Sequence, residues 1–259
     1  MSELRDPETG CPWDIKQDFS STVKCTIEEA YEVADAIEQQ DFVELEKELG
    51  DLLFQVIFYS QLGKEQQMFD FDSVVAAICE KLIRRHPHVF GNKELNSDAE
   101  IKANWENEKA KERQAKSKTN KISILADIPK NLPALSQAAK IQKRCAHVGF
   151  DWHEIDDVFD KVVEEVDEVK AEIELVKKDK PQALAEELGD LMFAVVNLCR
   201  HAKQDPETLL RQANQKFTKR FHGVEKQVEN SGVEFEQHSL ETLGAYWQQV
   251  KIKRAPLKV

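Results

Sequence analysis

Ala185-Glu186-Glu187-Leu188-Gly189-Asp190-Leu191-Met192-Phe193 has an earlier twin, Glu46-Lys47-Glu48-Leu49-Gly50-Asp51-Leu52-Leu53-Phe54. In both, a Glu and an Asp stand three residues apart, which on a helix puts the two carboxylates on one side, one turn apart. With Glu187 at zero and about 100° per residue, Leu184, Leu188, Leu191 and Val195 fall at roughly 40–100°, and Asp190 at roughly 300°. The acids therefore flank an apolar stripe. Acids so placed lose water, which is costly unless a cation or a proton compensates. Gly50 and Gly189 sit inside these helices, where a glycine costs about 1 kcal/mol against alanine. A neighbouring helix or a ligand approaching closely would justify them.

Working outward, the same order of landmarks occurs twice. Gly149-Phe150-Asp151-Trp152 answers Gly10-Cys11-Pro12-Trp13-Asp14, and Glu164-Glu165-Val166-Asp167-Glu168 answers Glu28-Glu29-Ala30-Tyr31-Glu32. Lys216-Phe217-Thr218-Lys219-Arg220-Phe221 answers Lys81-Leu82-Ile83-Arg84-Arg85-His86, and Trp247 and Lys251 answer Trp105 and Lys109. The chain is a duplication of a four-helix unit. Residues 1–116 are expected to form the first domain, 117–123 a linker, and 124–259 the second domain. In the first half, helices are expected from about Thr22 to Gln39, across Glu48 to Tyr59, and from about Asp72 to a stop at Pro87 and Gly91, with a fourth around Trp105.

Composition agrees with an all-α protein. Only nine Gly and eight Pro interrupt 259 residues, 41% of which are hydrophobic, and Glu, Lys, Ala, Leu and Gln dominate. No leader-like segment and no membrane-length apolar run is present, so a cytoplasmic location is expected. The five cysteines show no paired spacing and read as reduced. His86 and His88 near Cys79 do not complete a zinc set. A net charge of −12 argues against nucleic acid as a partner, but not against an anionic ligand that brings its own divalent metal.

The helix carrying Glu165 repeats the pattern of the helix carrying Glu187, with Glu168 one turn on. Packed stripe to stripe, the two helices bring Glu165, Glu168, Glu187 and Asp190 to one volume. A single such pair is usually a solvated helix face; two pairs on adjacent helices, repeated along the chain, favour metal. Oxygen-only ligands select a hard divalent ion, Mg²⁺ or Mn²⁺. Lys216, Lys219 and Arg220 suit phosphates, Trp247 offers a flat surface to a base, and Lys251 adds a cation. Together these describe a nucleotide-phosphate site. Against stacking stands the commoner use of tryptophan as core.

These blocks, with Arg84-Arg85-His86-Pro87-His88-Val89-Phe90-Gly91, closely resemble the MazG family over nearly the whole chain. The resemblance implies two tandem all-α NTP pyrophosphatase domains, a homodimer, and Mg²⁺-dependent hydrolysis of NTPs and dNTPs to monophosphate and pyrophosphate. Nucleotide-pool cleaning or stress-linked nucleotide control is the implied cellular role. It assigns metal to Glu165, Glu168, Glu187 and Asp190, and nucleotide contacts to Lys161, Glu164, Glu186, Lys216, Arg220 and Trp247. Glu164 or Glu186 is the expected general base. The competing reading is a non-catalytic nucleotide-binding dimer that regulates by occupancy.

The halves differ. Cys25 stands where Lys161 stands, and Cys79 where Asn214 stands. Fifteen residues separate Glu32 from Glu48, against eighteen between Glu168 and Glu187. The active site is therefore expected in the second half. The first keeps Glu29, Glu32, Glu48 and Asp51 and is expected to serve mainly structure or dimer formation.

Overall fold

The computed structural model describes residues 1–116, 123–176 and 181–253. Among them are ten α-helices and no strand. Contacts divide the chain into two compact units, Met1–Lys116 and Ser117–Val259. The expected linker, 117–123, lies outside the described residues except at its last position. No helix among the described residues is long and apolar enough to cross a membrane.

In the first unit, α1 (Val23–Gln39) and α2 (Phe42–Glu65) form an antiparallel hairpin. Gln40 takes the left-handed conformation that ends α1. The Asp41 carboxylate accepts the Glu44 N–H and so caps α2. Helix α3 (Phe71–Arg85) starts with a capping box in which Asp70 and Ser73 satisfy each other's amides and packs on α2. Pro87 does more than stop α3: it takes the first position of a one-turn helix, α4 (Pro87–Phe90), where a missing N–H costs nothing. Helix α5 (Asp98–Lys116) then packs on α3.

The second unit repeats this as α7 (Ile155–Val176), α8 (Pro181–His201), α9 (Pro206–Ser231) and α10 (Leu240–Lys253). Helices α7 and α8 pair, α10 packs on α9, and α9 touches α8. Asp205 caps α9 by accepting the Thr208 N–H, with Pro206 at the first helical position. A further helix, α6 (Ala134–Ala146), joins this unit and packs on α8 and α9. Its buried Gln142 donates to the Phe193 carbonyl of α8 at 2.8 Å. The second landmark, Asp151, is anchored by Arg200 and His201 at the end of α8.

Close approach governs a different glycine from the two singled out by sequence. Gly50 and Gly189 face open space, with nothing within 4 Å of an added Cβ. No neighbouring helix among the described residues approaches them closely. At Gly63, near the end of α2, a Cβ would lie 2.7 Å from the Phe69 ring and 2.8 Å from the Phe69 carbonyl oxygen. Gly63→Ala should lower the urea-unfolding stability of the first unit by about 1–3 kcal/mol through overpacking. Gly50→Ala should raise it by about 0.5–1 kcal/mol.

Candidate metal and phosphate site

The α7–α8 seam is built from Val158, Val162, Glu165 and Val169 on α7 and from Leu184, Glu187, Leu191 and Ala194 on α8. Spacings of three and four keep each set on one helical face. Glu165 and Glu187 thus lie within the packed seam, whereas the sequence pattern placed them on its flanks. The shift arises because α8 carries two apolar faces. Leu188 and Val195, assigned by sequence to the buried stripe, are exposed. Glu165 is only 5% exposed, Glu187 is half-buried, and Asp190 and Glu168 stand at the exposed rim.

Glu165, Glu187 and Asp190 each offer a carboxylate oxygen, and these atoms lie within 4.8 Å of one another. Glu168 is outside that group yet shares its field. Burial foremost, then the charges of Glu165 and Glu187, push its carboxyl above the usual range, against the pull of Lys161. Lys161 Nζ lies 2.8 Å from Oε1 of both Glu164 and Glu165. Those two bonds, Glu164 first, hold the ammonium well above its ordinary pKa. Glu165 Oε2 is buried and has no hydrogen-bond partner. A partnerless buried carboxylate oxygen beside two further carboxylates fits a hard divalent cation, which would satisfy the oxygen and offset the repulsion. Glu186, on the neighbouring turn face, is exposed.

In the first unit, Glu29, Glu48 and Asp51 converge in the same way, with Glu32 outside the group. No ion pair among the described residues involves these three acids, and Cys25 occupies the position of Lys161. Burial and then neighbouring acids, Asp51 for Glu29 and Glu32 for Glu48, raise the carboxyls of Glu29 and Glu48. The metal-capable groups among the described residues are these two all-carboxylate clusters, and neither contains a histidine or cysteine.

The cations differ more than the acids. On α9, Lys216, Lys219 and Arg220 line a groove with Gln212 and Gln215. Among the described residues no acid pairs with these three cations. The Arg220 guanidinium lies 6.0 Å from the Trp247 ring centre. Trp247 also packs against Phe217 at 5.0 Å and against the α9–α10 core of Val224, Val228 and Val250, so part of its surface is committed to packing. Lys251 is exposed one turn on. No hydrogen bond or ion pair among the described residues links this basic group to the acid cluster.

In the first unit the matching cations are taken. Glu112 of α5 accepts from Arg85 at 2.7 Å and from Arg84, and Glu108 lies 3.8 Å from Arg84. Trp105 is tied by its indole N–H to the Arg85 carbonyl at 3.0 Å. Sequence reading passed over Glu108 and Glu112. The signal was available: three residues after Trp105 stands Glu108, and three after Trp247 stands Val250. Hydrogen bonding from Arg85 foremost, with Arg84 and against burial, lowers the Glu112 carboxyl from 4.5 to about 2. A carboxyl depressed on folding stabilises above its unfolded value and loses that contribution as pH falls toward its folded value. The first unit should therefore lose urea stability between about pH 4.5 and 2. Glu112→Gln should flatten that part of the profile.

Residues 17–90 and 154–229 each match the MazG nucleotide pyrophosphohydrolase domain. The chain belongs to the MazG family. Both matched segments hold an acid cluster and the basic stretch that follows it; Trp105, Trp247 and Lys251 of this MazG chain fall outside them. Among curated relatives, the nucleoside triphosphate pyrophosphohydrolase of Escherichia coli K12 is 51% identical over 97% of this chain and 94% of its own length. The Thermotoga maritima protein named nucleoside triphosphate pyrophosphohydrolase/pyrophosphatase MazG is 41% identical over 97% of this chain and 92% of its own. The Bacillus subtilis protein YabN is 41% identical over 97% of this MazG chain, which spans 50% of YabN.

Proposed function

We propose that the chain hydrolyses nucleoside triphosphates to the monophosphate and pyrophosphate, with Mg²⁺ or Mn²⁺, at the second-unit site. The observation that carries this is Glu165. Its buried carboxylate, one oxygen of which has no partner, clusters with Glu187 and Asp190 in a unit whose groove of cations is lined by no acid among the described residues. Glu165, Glu187 and Asp190 would hold the ion, with Glu168 at the rim. Bound there, a divalent ion supplies neutralisation of the leaving pyrophosphate and a lowered pKa for attacking water.

The chain's own groups do the rest. Glu186, exposed and without an ion pair among the described residues, takes the proton of the water as its oxygen bonds to the α-phosphorus. Glu164 is the second candidate base, though its carboxylate is engaged by Lys161. The bond between the α- and β-phosphates breaks, and its electrons leave on pyrophosphate. Lys216, Lys219 and Arg220 stabilise the phosphoryl oxygens as charge moves onto them, with Lys251 as a further cation nearby. The exposed part of Trp247 offers a base a π-face, which suits broad base tolerance.

A homodimer is part of the same reading. Leu188, Met192 and Val195 form an uncovered stripe on α8, and Leu49, Leu53 and Val56 form its counterpart on α2. Apolar stripes of this length favour a partner surface, and a second copy presents the same stripes. The deciding experiment incubates the protein with each NTP and dNTP plus Mg²⁺ and measures pyrophosphate. Release from several bases is expected. Nucleotide binding without release would favour the regulatory reading instead.

A further inference from the structure

We propose that Lys161 is the resident counter-ion of the second-unit acid cluster: an arriving divalent ion displaces it from Glu165 and so frees it for the triphosphate, making metal load before nucleotide. This rests on the second-unit site being the one that takes metal and triphosphate.

The geometry is that of a competitor. Lys161 Nζ is 2.8 Å from Glu165 Oε1, and the Glu165 side chain is only 7% exposed. One carboxylate oxygen is thus held by the ammonium while the other is buried without a partner. An ion bound by oxygens at about 2.1 Å would sit within a few ångströms of that ammonium. Two cations so close, in a partly dry seam, repel strongly. Lys161 has somewhere to go: Glu164 already lies 2.8 Å from Nζ, and its side chain is far more exposed than that of Glu165. Leaving Glu165 moves the ammonium outward, away from the seam, without stripping it of a carboxylate partner. The first unit supplies a natural contrast. Its cluster of Glu29, Glu48 and Asp51 has Cys25 at the corresponding position and no ion pair to a cation among the described residues.

The test uses the full chain carrying Glu48→Gln and Asp51→Asn, so that only the second cluster can hold an ion. Mn²⁺ binding without nucleotide is followed by electron paramagnetic resonance. Lys161→Met should tighten Mn²⁺ binding roughly tenfold by removing the competitor, and Lys161→Arg should stay near the parent. With Mn²⁺ saturating, Lys161→Met should bind α,β-methylene ATP roughly tenfold more weakly than the parent. Without Mn²⁺, the two should bind the analogue equally poorly, since Lys161 is then engaged by Glu165. A folding defect would weaken metal and nucleotide together, so the opposed directions separate the two causes. Unchanged or weakened Mn²⁺ affinity in Lys161→Met overturns the proposal, as does a metal-free advantage of the parent for the analogue. Asp190→Asn in the same background is the control on the site itself. If Mn²⁺ affinity survives it, the metal-site reading fails; if it falls while Lys161→Met has no effect, only the displacement fails.

Discussion

Asp190→Asn and Glu187→Gln are each expected to lower pyrophosphate release by about 10²–10⁴-fold while the helical circular dichroism signal persists. A bound ion supplies several kcal/mol of charge stabilisation to phosphoryl transfer, and each 1.36 kcal/mol is a factor of ten in rate. Both substitutions keep side-chain volume and remove only charge. Asp190 is exposed and Glu187 half-buried, so neither leaves a cavity, and the fold should tolerate both. The mirror-image substitutions, Asp51→Asn and Glu48→Gln, are expected to leave release within about twofold, because they change no residue of the second-unit site. The first unit has the acids, but Cys25 supplies no ammonium and Glu112 occupies Arg84 and Arg85. Full activity in Asp190→Asn, with loss in Asp51→Asn, would move the active site to the first unit.

Particular residues explain what was legible in the sequence. The duplicated order of acids, glycine and basic stretch needed only one-dimensional spacing, because helical period alone puts Glu187 beside Asp190 and Glu165 beside Glu168. Convergence of Glu165 with Glu187 and Asp190 followed from two such helices packing. The depth of Glu165 did not follow. Helix α8 is apolar on two faces, and periodicity cannot say which one a single chain buries. The state of the cations was hidden for a different reason. Arg84 and Glu112 lie on separate helices that pack only in three dimensions, and no local pattern pairs them. Helix α6, with Pro133 at its N-cap, has no counterpart among the duplicated landmarks, so the repeat gave no cue to it.

The uncovered stripes make the second large prediction. Met192→Asp and Leu53→Asp should each convert the protein from dimer to monomer at micromolar concentration, read by sedimentation equilibrium. In a single chain Met192 is 58% exposed and Leu53 52% exposed, so a carboxylate at either position meets water and should scarcely alter protomer stability. In a two-fold assembly each substitution occurs twice. Each removes about 1.5–3 kcal/mol of apolar burial and places a carboxylate against an apolar surface, which costs several kcal/mol more. A weakening of dimerisation by at least roughly 10³-fold follows from those two contributions. The matched register, Leu188-Met192-Val195 against Leu49-Leu53-Val56, sets the finer expectation: if both stripes are used, the two aspartates together weaken the dimer more than either alone. A parent protein that sediments as a monomer, or a double variant that remains dimeric, would show that these faces serve something other than a second copy.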